Sequence, residues 1–187
     1  MSRLSSWTLG KTAVVGVLTA LAFLGTLVIR IPIPATTGYF NIGDTFVMLS
    51  GLWLGPVAGL IVGGIGPALA DAIGFPQFIL ATSVTKGIEG LLVGLVAYQG
   101  DRETSVYRGV LAAGIGGVCI VTGYFLFEAF VYPYLGQFVP LFDVTDISMA
   151  LTELLPNTGQ AVISVILAVS LWKPLTTLTS NETANTG

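Results

Sequence analysis

The segment from Ser83 to Tyr98 places two charges inside a run of residues that is otherwise apolar. Lys86 and Glu89 are three positions apart, so a helix carries the ammonium and the carboxylate on the same face. A charge inside a membrane span is costly unless it is paired or faces a protein interior. We therefore expect this face to point into a bundle of helices that shields it from lipid.

Composition agrees with a membrane setting. Of the 187 residues, 53% are apolar and 9% charged, against roughly 25% charged in a typical soluble domain. The chain has no histidine and one cysteine, which excludes histidine proton relays, Ser-His-Asp triads and a framework of intrachain disulfides. No basic patch points to nucleic acid, and no cofactor motif is visible. The sequence predicts an all-α integral membrane protein.

Proline and glycine breaks divide the chain into six predicted transmembrane helices. Residues 1–174 are predicted to form one six-helix bundle, and residues 175–187 a disordered polar tail. At 1.5 Å per residue the second helix covers only ~17 Å of a ~30 Å bilayer core, so it either begins earlier, near Phe40, or is half of a re-entrant pair. The predicted helices are about Leu9–Ile29, Asp44–Leu54, Val57–Ile73, Ser83–Tyr98, Val110–Tyr132 and Ile147–Leu171. Within the third, Gly55, Gly59 and Gly63 predict close approach of a neighbouring backbone.

The basic residues predict the orientation. With six spans, one side of the membrane collects five bases and the other only Arg30. The positive-inside rule then places both termini in the cytoplasm of a plasma-membrane protein. The five bases are Arg3, Lys11, Arg102, Arg108 and Lys173.

In this orientation nearly all polar groups of the spans lie in the outer half of the membrane. A channel or a proton relay needs polar groups through the full depth, whereas a capture pocket needs them only near its mouth. The sequence therefore favours a pocket open to the outside, and three glutamates against one lysine favour a neutral or cationic ligand. The candidate residues are Asp44, Lys86, Glu89, Tyr124, Glu128, Glu153 and Asn157, with Tyr39 and Asn41 in the first outer loop.

Several of these residues also have structural interpretations. Lys86 and Glu89 have two interpretations: either they form a structural pair that fixes the register of the helix, or both contact the ligand. Asp44 is suited to capping a helix start, and Asp71 to anchoring a loop. Glu128 and Glu153 lie close enough to helix ends to reach water. These alternatives stay open on the residues alone.

Two motifs carry a family resemblance. Residues 38–44, GYFNIGD, and residues 85–90, TKGIEG, follow the patterns GYxNxGD and KGxEG. With the glycine-rich third helix, they resemble the membrane-embedded substrate-binding subunit, the S component, of energy-coupling factor (ECF) transporters. The resemblance covers about Lys11 to Lys173. Within the S components, the chain more narrowly resembles the riboflavin-type branch, which includes proteins assigned to hydroxymethylpyrimidine, pyridoxine and queuosine-precursor uptake.

The resemblance implies a six-helix bundle that binds a small vitamin or nucleobase-like precursor near the outer face. It implies delivery through a transmembrane coupling subunit driven by two cytoplasmic ATPases. Small residues four apart on the first helix would contact the coupling subunit, and the matching positions are Thr12, Gly16 and Ala20. The chain has no GxxxxGK[ST] element for ATP hydrolysis, and we predict that it is not an enzyme.

Individual roles follow from this interpretation. Lys86 and Glu89 would give polar contacts, Asn157 a hydrogen bond, and Tyr39 stacking, while Asn41 and Asp44 would close the loop. The alternative is a carrier that works alone and is driven by an ion gradient.

Overall fold

The computed structural model of the chain describes residues 8–33, 36, 38–98, 104–143 and 145–185, with side chains described to residue 177. This part of the chain is almost entirely helical, as predicted. Its helices are α1 Leu9–Leu27, α2 Gly43–Leu54, α3 Pro56–Gly74, α4 Ile79–Ala97, α5 Val106–Leu126, α6 Tyr132–Gly136 and α7 Ile147–Asn185. Of the bases used for orientation, Arg3 and Arg102 lie outside the described residues.

Helix α2 lies at the centre of the bundle. It contacts α1, α3, α4 and α7, and nine of its 12 residues are buried. It begins at Gly43, so the early start near Phe40 is wrong. Five other segments of the described chain are long and apolar enough to cross a membrane, and α2 reaches only about 18 Å. A polar residue at the start of α2 is therefore shielded by protein rather than exposed to lipid.

Glycines bring α3 and α4 together, as their spacing predicts. A Cβ atom on Gly59 would overlap the backbone of Gly90, and one on Gly63 would overlap the carbonyl of Lys86. At the start of α3, Gly55 has a φ of 94°, a conformation that side-chain-bearing residues rarely adopt. The close approach places the Lys86 side of α4 against the buried centre.

Helix α4 begins earlier than predicted. A short 3-10 turn, Pro76–Phe78, leads into it, and the helix starts at Ile79 rather than Ser83. The helix tolerates this start because proline is compatible with a first turn. The extra turn puts Glu89 near the middle of α4, whereas a start at Ser83 would put it in the first half of the helix.

The fifth predicted span is one continuous helical segment with a change of winding. Residues Phe127–Val131 form a π-helical turn between α5 and α6. Pro133 has no N–H to return to the carbonyl of Ala129, which favours a wider turn at this point. The turn contains Glu128.

The loop between α1 and α2 contains a small hairpin that the sequence did not indicate. Strands β1 Ile31–Pro32 and β2 Tyr39–Phe40 pair antiparallel, with Ile31 opposite Phe40 and Pro32 opposite Tyr39. Two-residue strands are too short for an alternating pattern to show. At the other end of the chain, α7 continues through Pro174 to Asn185, where we expected a disordered tail. The hydroxyls of Thr176 and Thr177 in this last stretch donate to the Lys173 carbonyl.

Candidate functional site

Lys86 forms a buried ion pair with Asp44. Its Nζ lies 2.6 Å from Asp44 Oδ1, and both side chains are within 1% of full burial. Among the described residues the ammonium is thus paired with Asp44 on the central helix and not with Glu89, whereas the sequence left open whether Lys86 and Glu89 form a structural pair. Asp44 also does not cap its helix with its side chain.

Gln160 on α7 links this pair to Asn41 in the loop before α2. Its Nε2 donates to Asp44 Oδ2 at 2.6 Å, and its Oε1 accepts from the backbone N–H of Asn41 at 2.7 Å and from Asn41 Nδ2 at 3.1 Å. The Asn41 side-chain oxygen accepts from the Gly43 N–H at 2.9 Å and from Lys86 Nζ at 3.3 Å. Asn41 thus accepts from the N–H at the start of α2, where Asp44 was expected to cap the helix, and the network holds the loop between α1 and α2 against the core.

Tyr39 closes the same loop against α3. Its hydroxyl donates to Asp71, and its ring packs against Phe75 with centroids 4.6 Å apart and ring planes tilted by 35°. The Arg30 guanidinium lies 5.0 Å from the Tyr39 ring and 4.0 Å from Asp71. Burial, followed by the charge of Asp71, raises the pKa of Tyr39, so the hydroxyl stays a neutral donor. Asp71 therefore anchors the loop, as its position before a helix break suggests.

A polar cavity lies beneath this loop, between α4, α5, the π-helical turn and α7. Its free volume is about 20 Å³, which is room for about one water molecule. Six of the nine predicted ligand contacts line it. They are Tyr39, Asn41, Tyr124, Glu128, Glu153 and Asn157.

Four further residues line the cavity: Gly38, Phe78, Thr82 and Gln160. The Thr82 hydroxyl bonds to the Tyr124 hydroxyl at 2.9 Å. Gln160 shares a helical face with Glu153 and Asn157 at i, i+4 and i+7, a stripe that is visible in the sequence. Thr82 gave no signal, because it stands in a segment that reads as a connector.

The other three predicted contacts lie outside the cavity lining. Asp44 and Lys86 support its floor through Gln160 and Asn41. Glu89 is fully buried, and neither of its carboxylate oxygens has a hydrogen-bond partner among the described residues. Its Cγ lies 3.5 Å from the position a Cβ on Gly116 would take, so it packs against α5.

Basic side chains mark the opposite end of the bundle. Lys11 lies 5.6 Å from the centre of the Tyr98 ring, and Lys173 donates to the Thr104 carbonyl at 3.0 Å. Arg108 donates to the Val96 carbonyl. These three bases thus lie toward the end of the bundle opposite the cavity, whereas Lys86 and Arg30 lie beside buried aspartates.

One face of α1 is left open. Thr12, Gly16 and Ala20, the predicted partner contacts, are all exposed, and nothing lies within 4 Å of the position a Cβ on Gly16 would take. Val15, Leu18 and Ala22 on the other face are buried. Helix α1 therefore presents its small residues outward.

The fold and the site define a multi-pass α-helical membrane protein with a polar cavity near one end of its bundle. The model of the family described as "ECF-type riboflavin transporter, S component" matches residues 6–177. The chain belongs to this family, whose members are subunits of transporters rather than enzymes.

Two individual proteins are similar to the chain. An uncharacterized protein in the gap 3′ region of Pyrococcus woesei is 44% identical over 99 residues, which are 53% of this chain and 65% of that protein. The match thus spans slightly less than two thirds of the relative. A solved structure, described as the S component of a bacterial ECF transporter, has a TM-score of 0.63 at 18% identity and covers 90% of this chain and 96% of its own. That likeness supports the fold.

Proposed function

We propose that the chain captures a small vitamin or nucleobase-like precursor at the outer face of the plasma membrane. The observation that carries this proposal is the polar cavity beneath the first outer loop, in a chain of the S-component family. Its walls combine aromatic rings with a few placed polar groups, the usual character of a small-molecule site. Tyr39, Asn41, Tyr124, Glu128, Glu153 and Asn157 are the proposed contacts, joined by Gln160.

Capture requires the loop to move. The cavity holds about one water molecule as it stands, so a ring-sized ligand enters only when the segment around β1 and β2 swings outward. The hydrogen bonds that Asn41 donates to Gln160 and that Tyr39 donates to Asp71 hold the closed position. Asp44 and Lys86 act below as a fixed support.

We propose six crossings with both termini in the cytoplasm. Helix α2, though short, crosses inside the bundle, where α1, α3, α4 and α7 surround it. The bases Lys11, Arg108 and Lys173 gather at one end, which supports a cytoplasmic position for that end.

We propose that an ECF transmembrane coupling subunit and two cytoplasmic ATPases complete the importer. The open face of Thr12, Gly16 and Ala20 supports a helix contact there, because small residues let two backbones approach closely within a membrane.

The decisive experiment is mass spectrometry of small molecules released from the protein purified in detergent. Asn157 lines the cavity and its neighbour Thr158 is exposed, which makes Asn157→Phe and Thr158→Phe a matched pair. We expect wild type and Thr158→Phe to release the same compound, and Asn157→Phe to release none.

Release of the same compound by Asn157→Phe would place the site elsewhere. Uptake into vesicles that contain this chain alone, driven by a proton or sodium gradient, would instead establish the stand-alone carrier and overturn the importer.

A further inference from the structure

The lining of the cavity is acidic. Two of its ten residues are glutamates, Glu128 and Glu153, and none of the ten is basic. The loop that covers the cavity, residues 31–42, also has no lysine or arginine in its sequence. Two carboxylates in one small enclosed space disfavour each other's charge unless a positive group joins them.

Two bases contact residues of the lining, Lys86 at Asn41 and Arg30 at the Tyr39 ring, and both are already engaged with aspartates. Lys86 is held by Asp44 at 2.6 Å. Arg30 donates to the carbonyls of Thr26 and Ala70 and lies 4.0 Å from Asp71. Neither base is positioned to neutralise the cavity, because each one balances an aspartate outside the lining.

Of the two glutamates, Glu128 has the less satisfied carboxylate. Its side chain is only 2% accessible, and Oε2 has no hydrogen-bond partner among the described residues. The nearby Thr145 hydroxyl bonds to the Glu128 backbone carbonyl and not to the carboxylate. An unpartnered buried carboxylate destabilises the folded protein, and a ligand that donates to it recovers part of that cost.

Glu153 is partly satisfied from the loop. Its carboxylate lies against Gly38, where a Cβ would overlap both oxygens, and it interacts with Thr36. Its accepting capacity is therefore shared between the loop and the cavity. Phe78 lines the same space, and aromatic rings attract cations.

We infer that the cavity selects a flat, cationic ligand rich in N–H donors, such as an amidinium or a protonated amino-heterocycle. Its positive end donates to Glu128 and secondarily to Glu153, and its ring lies against Phe78. This inference rests on the proposed capture function and specifies the charge of what is captured.

The test compares three probes of nearly equal shape: benzamidine, which is cationic, benzamide, which is neutral, and benzoate, which is anionic. Binding to the purified wild-type protein is measured by ligand-detected NMR. We expect benzamidine to bind at least about tenfold more tightly than benzamide, the gain of one charge-assisted hydrogen bond, and benzoate to bind most weakly. Equal binding of the three probes, or no binding of benzamidine, overturns the inference without any variant.

Variants then locate the effect. Glu128→Gln should weaken benzamidine by about tenfold and leave benzamide within about twofold, and Glu153→Gln should cause a smaller loss. Glu89→Gln is the matched control, because Glu89 is an equally buried carboxylate outside the cavity lining, and it should change nothing. Unchanged benzamidine binding in Glu128→Gln contradicts the assignment.

The outcome separates the inference from the function. A co-purified compound that Asn157→Phe loses, but that is neutral or anionic, overturns the cationic preference and leaves capture standing. Absence of any bound compound in wild type, together with no probe binding, overturns both.

Discussion

The ammonium of Lys86 lies 2.6 Å from the carboxylate of Asp44, and both side chains are buried at the centre of the bundle. Lys86 lies on α4 and Asp44 at the start of α2. The pair therefore joins the helix that carries the TKGIEG motif to the helix that follows the first loop. Lys86 also donates to the Asn41 side-chain oxygen, and Asp44 accepts from the Gln160 side-chain amide. The pair is therefore the fixed floor on which the cavity rests.

Removing one partner of this pair should destabilise the protein strongly. Lys86→Met leaves Asp44 as an uncompensated buried charge, and we expect a loss of about 3–5 kcal/mol in the free energy of unfolding. The double variant Lys86→Met with Asp44→Leu should lose less than either single change. Thermal unfolding in detergent measures all three. Additive losses in the double variant would contradict a direct pair.

The sequence predicted that Lys86 faces inward but not which acid it meets. The inward direction follows from the cost of a charge in lipid, which depends on local sequence alone. The partner depends on tertiary packing: Glu89 shares a helix face with Lys86, yet Gly63 on α3 and the central position of α2 bring Asp44 closer. Glu89 is left one turn deeper, against α5.

The same distinction explains the cavity. Glu153, Asn157 and Gln160 form a stripe that helical periodicity reveals, and the first-loop residues follow from a motif. Thr82 was missed as a contact because it belongs to a helix start that a proline makes look like a loop. The π-helical turn around Glu128 has no periodic signal in the sequence.

Gln160 should control how tightly the first loop is held. Gln160→Ala removes the acceptor of two Asn41 bonds and the donor to Asp44, so we expect amide hydrogen exchange in residues 38–42 to become at least about tenfold faster. Thr158→Ala, an exposed change on the same helix, is the control. Exchange in this loop that does not differ between the two variants would show that Gln160 is not its fastening.

The contact of α3 with α4 should not accept a methyl group. Gly59→Ala places a Cβ into the backbone of Gly90, and we expect a loss of about 1–3 kcal/mol in stability from overpacking. Gly114→Ala is the matched change, because nothing lies within 4 Å of its added Cβ, and alanine is the better helix former. The melting temperatures of the two variants should therefore move in opposite directions. A melting temperature of Gly59→Ala at or above wild type would contradict the close approach.

The exposed small-residue face of α1 should matter for assembly and not for ligand capture. Gly16→Leu adds a side chain to an open surface, so the isolated protein should keep its melting temperature and its benzamidine affinity. A coupling subunit that approaches this face closely would be pushed away by the added bulk, and co-purification with the coupling subunit should fall at least about tenfold. Gly10→Leu is the control, because Gly10 is equally open but lies on another face of α1. If Gly16→Leu retains the coupling subunit as well as Gly10→Leu does, the contact lies on a different surface. Loss of benzamidine binding in Gly16→Leu would show instead that α1 supports the cavity.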